Sequence, residues 1–211
     1  MNVEKIKIDD DREIDIIDDS LDIGTINNLY YDCCQLPYRI ENSSFRDVQR
    51  RCDRRLKCNL LQENSITGML LDDNSGSLKA IKKYIPNDEY AYTRGYVNLG
   101  LHSDVSQLHT DNRSKNKTLL YYANKNWEIG WGGETVFYND RGTDYVKVVP
   151  YVPGRIVIFD GRIPHTAKPM NIRLSPTYRF TVALKFDDLN KKMTNTAKGQ
   201  VQDLITHSDE V

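Results

Sequence analysis

Short runs that favour β-strands fill the second half of the chain, from about residue 90 onwards. In these runs apolar and β-branched residues alternate with polar ones, and Gly, Asn, Asp and Pro separate one run from the next. Several short, closely spaced runs of this kind are typical of a β-sandwich or barrel. We therefore predict six strands, over residues 90–99, 118–124, 135–138, 145–149, 155–159 and 178–186.

The first half of the chain favours helices instead. Apolar residues recur at helical spacing over residues 21–36, which end at Pro37, and at every fourth position over residues 45–61. A shorter helix is predicted over residues 78–85, while residues 1–16 are typical of an arm or an edge strand. Because helices that precede a β-rich region pack on one face of its sheet, the pattern predicts an α+β fold that is mainly β.

Length and organisation indicate one domain. The chain has 211 residues, without an internal repeat or a low-complexity segment, and this length suits one domain with extensions. We expect a single domain over residues 1–211, in which residues 1–89 form an N-terminal arm and supporting helices. Residues 90–187 would form the β-rich core, and residues 188–211 a peripheral C-terminal tail.

The overall charge gives no attraction towards polyanions. Lys and Arg number 29 against 30 Asp and Glu, for a net charge of −1, so neither nucleic acid nor an anionic membrane is an expected partner. No apolar run approaches the ~20 residues of a membrane-spanning helix, and the acidic N-terminus lacks the apolar stretch of a secretory signal. Because the four cysteines follow no disulfide or metal-binding pattern, we expect a cytoplasmic protein.

A candidate metal site is formed by a His-x-Asp pair and a distant histidine. Residues i and i+2 of a strand point to the same side, so His109 and Asp111 can bind one ion. His165, from a later strand, would complete the two-histidine, one-carboxylate set of non-haem Fe(II) oxygenases. His102 and Asp104 have the same spacing, and spacing alone gives little reason to prefer either pair.

The last predicted strand has two different faces. One face is apolar and suits packing against helices; it carries Phe180, Val182, Leu184 and Phe186. The opposite face carries Arg179, Thr181, Ala183 and Lys185. Such a face is poor as a dry core but suits a carboxylate pocket, because an arginine can bind a carboxylate with two hydrogen bonds. The alternation alone is equally compatible with an edge strand whose polar face meets water.

Residues 96–186 resemble the Fe(II)/2-oxoglutarate-dependent dioxygenases of the prolyl 4-hydroxylase-like subgroup. The order and spacing of several stretches match, namely His109-Thr110-Asp111, Thr118–Asn124 with Trp127, Gly132–Phe137, Pro153–Phe159, Pro164-His165 and Arg179–Thr181. The resemblance implies a double-stranded β-helix, or jelly roll, with supporting N-terminal helices. It places Fe(II) on His109, Asp111 and His165, and it prefers His109 to His102 because the metal-binding pair comes shortly before the Leu-Leu-Tyr-Tyr strand.

The resemblance also implies a site for the co-substrate 2-oxoglutarate. It places Arg179 on the distal carboxylate, with Thr181 and the Tyr122 hydroxyl as helpers. Arg173 is a rival, because it is closer to His165 in sequence, but it stands in a predicted loop. No catalytic side chain beyond the metal centre is implied.

The reaction that the resemblance implies is the hydroxylation of a C–H bond. Fe(II), 2-oxoglutarate and O2 would be required, with succinate as a product and ascorbate as a stimulatory reductant. A prolyl residue of a peptide is the first expectation for the substrate; free amino acids, sugars and other small metabolites are alternatives.

Three rival functions come from other classes or substrates. Nucleic-acid demethylation would use a basic cluster that is otherwise an ordinary solvated helix face. This cluster comprises Arg46, Arg50, Arg51, Arg54, Arg55 and Lys57. A zinc hydrolase would use the same three ligands but would not need Arg179, and a non-catalytic cupin-like module would not need an intact ligand set.

Overall fold

Strands in two antiparallel sheets make up most of the described chain. The computed structural model describes residues 1–42, 54–61, 63–71, 81–102, 104, 106–174 and 178–190. The helices whose bounds lie within these residues are α1 (Ile23–Gln35) and α2 (Ser65–Leu71), with a 3-10 turn at Ile129–Trp131. The strands are β1 (Asn2–Lys7), β2 (Glu13–Asp18), β3 (Arg39–Asn42), β4 (Arg54–Leu60), β5 (Tyr90–Gly100), β6 (Asn116–Tyr122), β7 (Thr135–Tyr138), β8 (Tyr145–Val149), β9 (Ile156–Asp160), β10 (His165–Ala167) and β11 (Arg179–Asp188).

The two sheets form a sandwich. The larger sheet has eight strands in the order β1-β2-β9-β6-β11-β5-β4-β3, and the smaller has three in the order β10-β7-β8. Side chains from both sheets pack into one apolar cluster, with Tyr122 and Phe159 from the larger sheet against Phe137 and Val149 from the smaller. This mainly β, antiparallel architecture is consistent with the predicted jelly roll.

The helices cover the other face of the larger sheet. Leu29 of α1 and Ile66 of α2 pack into a second apolar cluster with Leu119, Val182 and Leu184 of the sheet. The central strands are therefore buried on both faces, which explains why β9 reads as a continuous apolar run instead of an alternating one. No helix in the described ranges is long and apolar enough to cross a membrane.

The strands predicted after residue 90 and the helix predicted over residues 21–36 are confirmed to within a few residues. The predicted helix over residues 45–61 is wrong where the structure describes it, because residues 54–60 form β4. Leu56, Cys58 and Leu60 alternate with polar residues, so the spacing of four is also twice the strand period. The segment forms a strand because its backbone pairs with the edge of β5.

Other N-terminal elements differ from the pattern or extend it. The predicted arm is a β1–β2 hairpin in which β1 is an edge strand, and helix α2 was not predicted. Within the predicted helix over residues 78–85, residues 78–80 lie outside the described residues, as do 45–53 and the tail beyond 190. Half of the basic cluster, Arg46, Arg50 and Arg51, therefore lies outside the described residues, while Arg54, Arg55 and Lys57 lie in β4.

A buried amide holds the start of β11 against the end of β6. The Asn124 side chain accepts a hydrogen bond from the Phe180 backbone N–H (2.8 Å) and donates one to the Tyr178 carbonyl (2.7 Å). The Tyr151 hydroxyl also donates to the Asn124 side-chain oxygen (2.7 Å). Since Arg179 stands between the two residues that this amide binds, Asn124 positions the backbone of Arg179.

We expect Asn124→Ala to destabilise the protein by about 2–4 kcal/mol, because several buried polar groups lose their partner at once. Urea unfolding of the full-length protein would measure the change. The matched control is Asn28→Ala on the exposed side of α1, which should change stability by less than about 0.5 kcal/mol. Equal effects at the two positions would show that the amide network does not stabilise the fold.

Candidate metal and co-substrate site

A cavity opens on the inner face of the larger sheet. Side chains of β5, β6, β7, β10 and β11 line it, together with the segment that precedes β6. His109, Asp111 and His165 lie at one part of the wall, and Arg179 and Thr181 lie at another. One cavity thus contains all the side chains that the sequence predicted for metal and co-substrate, except Tyr122.

Backbone pairing brings the two histidines side by side. His109 and His165 form an antiparallel bridge, with N···O distances of 3.1 and 2.9 Å. The Nδ1 atom of His109 lies 2.8 Å from the Gln107 carbonyl oxygen, and that of His165 lies 2.9 Å from the Ile163 carbonyl oxygen. An imidazole whose Nδ1–H donates to a carbonyl presents its Nε2 atom to a metal ion, so this arrangement suits metal binding through Nε2.

The carboxylate of Asp111 completes the group. Its oxygens lie 3.9 Å from His109 Nε2 and 3.7 Å from His165 Nε2, and the three candidate ligand atoms all lie within 4.8 Å of one another. The Asp111 backbone N–H donates to the Gly161 carbonyl (2.8 Å). A Cβ at Gly161 would clash with the Asn116 side chain and lie 3.1 Å from the Asp111 Cβ, so glycine permits this close approach.

The cavity keeps two of the candidate ligands, His165 and Asp111, in the protonation states that bind metal. Burial lowers the pKa of His165 to about 4, so the imidazole is neutral at neutral pH. Burial alone would raise the pKa of Asp111, but the Lys185 ammonium holds that pKa below its usual range. Two imidazoles and one carboxylate on one side of an open cavity suit Fe(II), with positions left for exogenous ligands.

Arg179 lies where the cavity wall meets the Gly132-Gly133 turn. Its Nη1 donates to the Gly133 carbonyl (2.8 Å), and a Cβ at Gly133, where φ is +83°, would come within 3.0 Å of the Arg179 side chain. The guanidinium side chain and the Thr181 side chain line the same cavity. This wall can therefore bind a carboxylate group of a small dicarboxylic acid.

The structure separates Tyr122 from the cavity surface. Its buried ring stacks on Tyr151 at 4.4 Å between centroids, and its hydroxyl donates to Thr135 Oγ1 (2.7 Å). Thr135, not Tyr122, lines the cavity. Tyr122 therefore contacts the cavity wall through the Thr135 hydroxyl. Thr135 lies in the matching stretch Gly132–Phe137, but sequence reasoning assigned it no role.

The two sequence rivals lie apart from the group. His102 does not line the cavity, and although Asp104 does, its carboxylate accepts a hydrogen bond from the Leu101 N–H (2.8 Å). Arg173 is exposed on the loop before β11 and does not line the cavity. The structure thus brings together His109 and Arg179 instead of His102 and Arg173.

The two predicted faces of β11 are confirmed. The apolar face packs into the helix-side cluster through Phe180, Val182, Leu184 and Phe186. The other face lines the cavity through Arg179, Thr181, Ala183 and Lys185. Its alternative, an edge strand in water, is excluded because β11 lies between β6 and β5.

Sequence reasoning assigned no role in the site to three polar side chains near the group, Tyr96, Thr118 and Lys185. Tyr96 and Lys185 line the cavity, and Thr118 donates to Asp111 (2.7 Å). The alternation of β11 placed Lys185 on the correct face, but its contact with Asp111 depends on the pairing of β11 with β6.

Comparison with known proteins finds a family model that matches the segment that carries this site. Residues 90–185 match the model of the 2OG-Fe(II) oxygenase superfamily. This segment holds every side chain of the group and Arg179, and the match confirms the resemblance found in the sequence. Members of the family use Fe(II), 2-oxoglutarate and O2. No curated protein sequence matches the chain.

Solved structures share the fold at low sequence identity. A prolyl-4-hydroxylase from Pseudomonas putida is similar over 82% of this chain and 91% of its own, with a TM-score of 0.64 and 14% identity. A prolyl hydroxylase from Trichoplax adhaerens, solved with a hypoxia inducible factor peptide, has a TM-score of 0.57 and 19% sequence identity over 86% of each chain. HygX from Streptomyces hygroscopicus, with nickel and 2-oxoglutarate bound, has a TM-score of 0.61 and 13% sequence identity over 85% of this chain and 84% of its own.

The buried imidazole of His165 predicts a pH-dependent stability for the metal-free protein. Unfolding raises the His165 pKa from about 4 back to 6.5, so the unfolded chain binds more protons in that window and stability falls as pH decreases through it. Between pH 7 and pH 5 the loss should be about 2 kcal/mol. Urea unfolding in the presence of a chelator would measure it.

His165→Gln should abolish most of this loss, whereas His102→Gln should retain it. A loss that persists unchanged in His165→Gln would mean that another group titrates.

Proposed function

We propose that the chain is an Fe(II)- and 2-oxoglutarate-dependent dioxygenase that hydroxylates a C–H bond. The observation that carries the proposal is the convergence of three candidate ligand atoms within 4.8 Å, in a cavity that also contains Arg179. The match of residues 90–185 to the 2OG-Fe(II) oxygenase superfamily supports the same chemistry. A zinc hydrolase would leave Arg179 on the cavity wall without a role. A non-catalytic module would leave both Arg179 and the three candidate metal ligands without a role.

Fe(II) would be held by His109 Nε2, Asp111 and His165 Nε2. With 2-oxoglutarate and O2, the metal supplies the oxidising chemistry, in which 2-oxoglutarate is decarboxylated to succinate. The protein keeps His165 neutral by burial and holds each imidazole through its Nδ1 atom. It needs no side chain as an acid or a base.

Arg179 would bind the distal carboxylate of 2-oxoglutarate. Thr181 shares its cavity wall, and Tyr122 would act through the Thr135 hydroxyl. The Asn124 network that positions the start of β11 would also hold Arg179 in register with the metal ligands. We include ascorbate as a stimulatory reductant in the proposed assay.

The proposed substrate is a prolyl residue of a peptide. Support comes from the prolyl 4-hydroxylase-like motifs of the sequence and from similar folds that act on such substrates by name. The competing candidate is a small metabolite, since an epimerase of nogalamycin biosynthesis has a comparable TM-score of 0.61. A shared fold does not fix the substrate, so product analysis must decide.

The deciding experiment incubates the full-length protein with Fe(II), 2-oxoglutarate, ascorbate and a panel of compounds. Proline-containing peptides, free L-proline, other amino acids and sugars are compared by succinate release and by a mass increase of one oxygen. A hydroxylated prolyl peptide is the expected product. A hydroxylated small molecule, with no peptide turned over, would replace the prolyl substrate but leave the dioxygenase.

Loss of any proposed ligand should abolish metal binding. We expect His109→Ala, Asp111→Ala and His165→Ala to lose at least about 100-fold in Fe(II) or Mn(II) affinity. Loss of a residue that only supports a ligand costs about 10–100-fold, so loss of a ligand itself should cost more. Calorimetric titration would measure it. The control, His102→Ala, should bind like the wild type; the opposite result would move the site to His102.

Removal of the proposed carboxylate partner should weaken co-substrate binding selectively. Truncation of one member of a buried charge pair costs roughly 2–5 kcal/mol, so Arg179→Met should raise the KM for 2-oxoglutarate by one order of magnitude or more. Metal affinity should remain within about threefold, a change below 1 kcal/mol. Arg173→Met serves as the matched control and should leave this KM unchanged; a similar increase in both variants would contradict the assignment.

A further inference from the structure

A lysine ammonium is buried against the carboxylate that would bind the metal. Lys185 Nζ forms an ion pair with Asp111 Oδ2, and both side chains are only 9% exposed. An ammonium here is unexpected in a site built for a divalent cation, because like charges in a poorly solvated cavity repel one another. The proposed chemistry gives Lys185 no role.

The two oxygens of Asp111 have different surroundings. Oδ2 contacts the Lys185 ammonium and accepts a hydrogen bond from the Thr118 hydroxyl (2.7 Å). Lys185 Nζ also donates to Thr118 Oγ1 (3.1 Å), so the three side chains form a closed triangle. Oδ1 faces His109 Nε2 instead, at 3.9 Å.

The pairing of strands builds this triangle. Lys185 and Thr118 stand directly opposite each other in the β11–β6 register, so their side chains share the cavity face of the sheet. The Lys185 ammonium also lies 5.9 Å from the centroid of the Tyr96 ring. Among the residues that the structure describes, Asp111 is the one acidic partner of Lys185 within ion-pair distance.

We propose that Lys185 is a counter-ion for Asp111, an inference that rests on the proposed metal site. Lys185 neutralises the Asp111 carboxylate when no metal is bound and thereby lowers the affinity for the metal. The carboxylate is buried, so it needs a cation in either state. Lys185 supplies this cation without the metal, whereas with the metal bound its charge is repelled. A group that stabilises the metal-free state more than the loaded state must weaken binding.

Thr118 has the opposite effect on the same carboxylate. Its hydroxyl donates to Oδ2 without adding a net charge, so it orients Asp111 in both states and does not repel a metal ion. Removal of Thr118 should therefore weaken metal binding, and removal of the Lys185 charge should strengthen it. If Lys185 only supported the structure, the two removals would act in the same direction.

The test is a titration of the full-length protein with Co(II), followed by its visible absorption, and with Mn(II) by calorimetry. We expect Lys185→Met and Lys185→Gln each to bind at least about tenfold more tightly than the wild type, because close charges in a protein interact by several kcal/mol. Lys185→Arg keeps the charge and should stay near the wild type. Thr118→Val should bind more weakly. The control is Lys168→Met: Lys168 also lines the cavity, but its ammonium donates to the Tyr138 hydroxyl (3.3 Å), and this variant should show no change.

A second readout uses thermal unfolding. Lys185→Met and Lys185→Gln should lower the Tm of the metal-free protein, because Asp111 loses its counter-ion, and should increase the rise in Tm that Mn(II) produces. Use of two neutral variants keeps the test valid if one of them fails to fold without metal.

Equal or weaker metal binding by both neutral variants would overturn the counter-ion role while the proposed metal site stood, provided that the wild type binds Co(II) and His109→Ala does not. A wild type that binds neither metal would overturn both proposals.

Discussion

The burial of one carboxylate, that of Asp111, is the constraint on which the site depends. A carboxylate removed from water requires compensating charge and hydrogen bonds, and the fold supplies these from separate elements. Thr118 comes from β6 and Lys185 from β11, and the His109–His165 bridge places the two imidazoles beside the carboxylate. Because these elements are far apart in sequence, the site exists only when the sandwich is complete.

The same strand that compensates this carboxylate also builds the other end of the site. β11 lies between β6 and β5 and is buried on both faces. Its helix-side residues fill the core, while Arg179 and Lys185 mark the two ends of its cavity face. The proposed metal ligands and Arg179 are thus positioned by the same sheet, and the Asn124 network secures the end of β11 that carries Arg179.

Local patterns predicted much of this arrangement, and pairing decided the rest. Alternation predicted the faces of β11, and motif order predicted the residues that the structure brings together. Spacing alone left His109 and His102 open, and the resemblance preferred His109; the bridge to His165 gives the physical reason for that preference. The segment over residues 54–60 matched helix and strand periods alike, and only its pairing with β5 chose the strand. The contact of Lys185 with Asp111 likewise requires the β11–β6 register.

The most direct test of the account is a crystal structure of the full-length protein with Mn(II) and 2-oxoglutarate, phased to reveal the metal by its anomalous signal. We predict one strong peak within bonding distance, about 2.0–2.3 Å, of His109 Nε2, Asp111 and His165 Nε2. The distal carboxylate of 2-oxoglutarate should lie against Arg179. A metal held elsewhere, or a 2-oxoglutarate molecule remote from Arg179, would contradict the account.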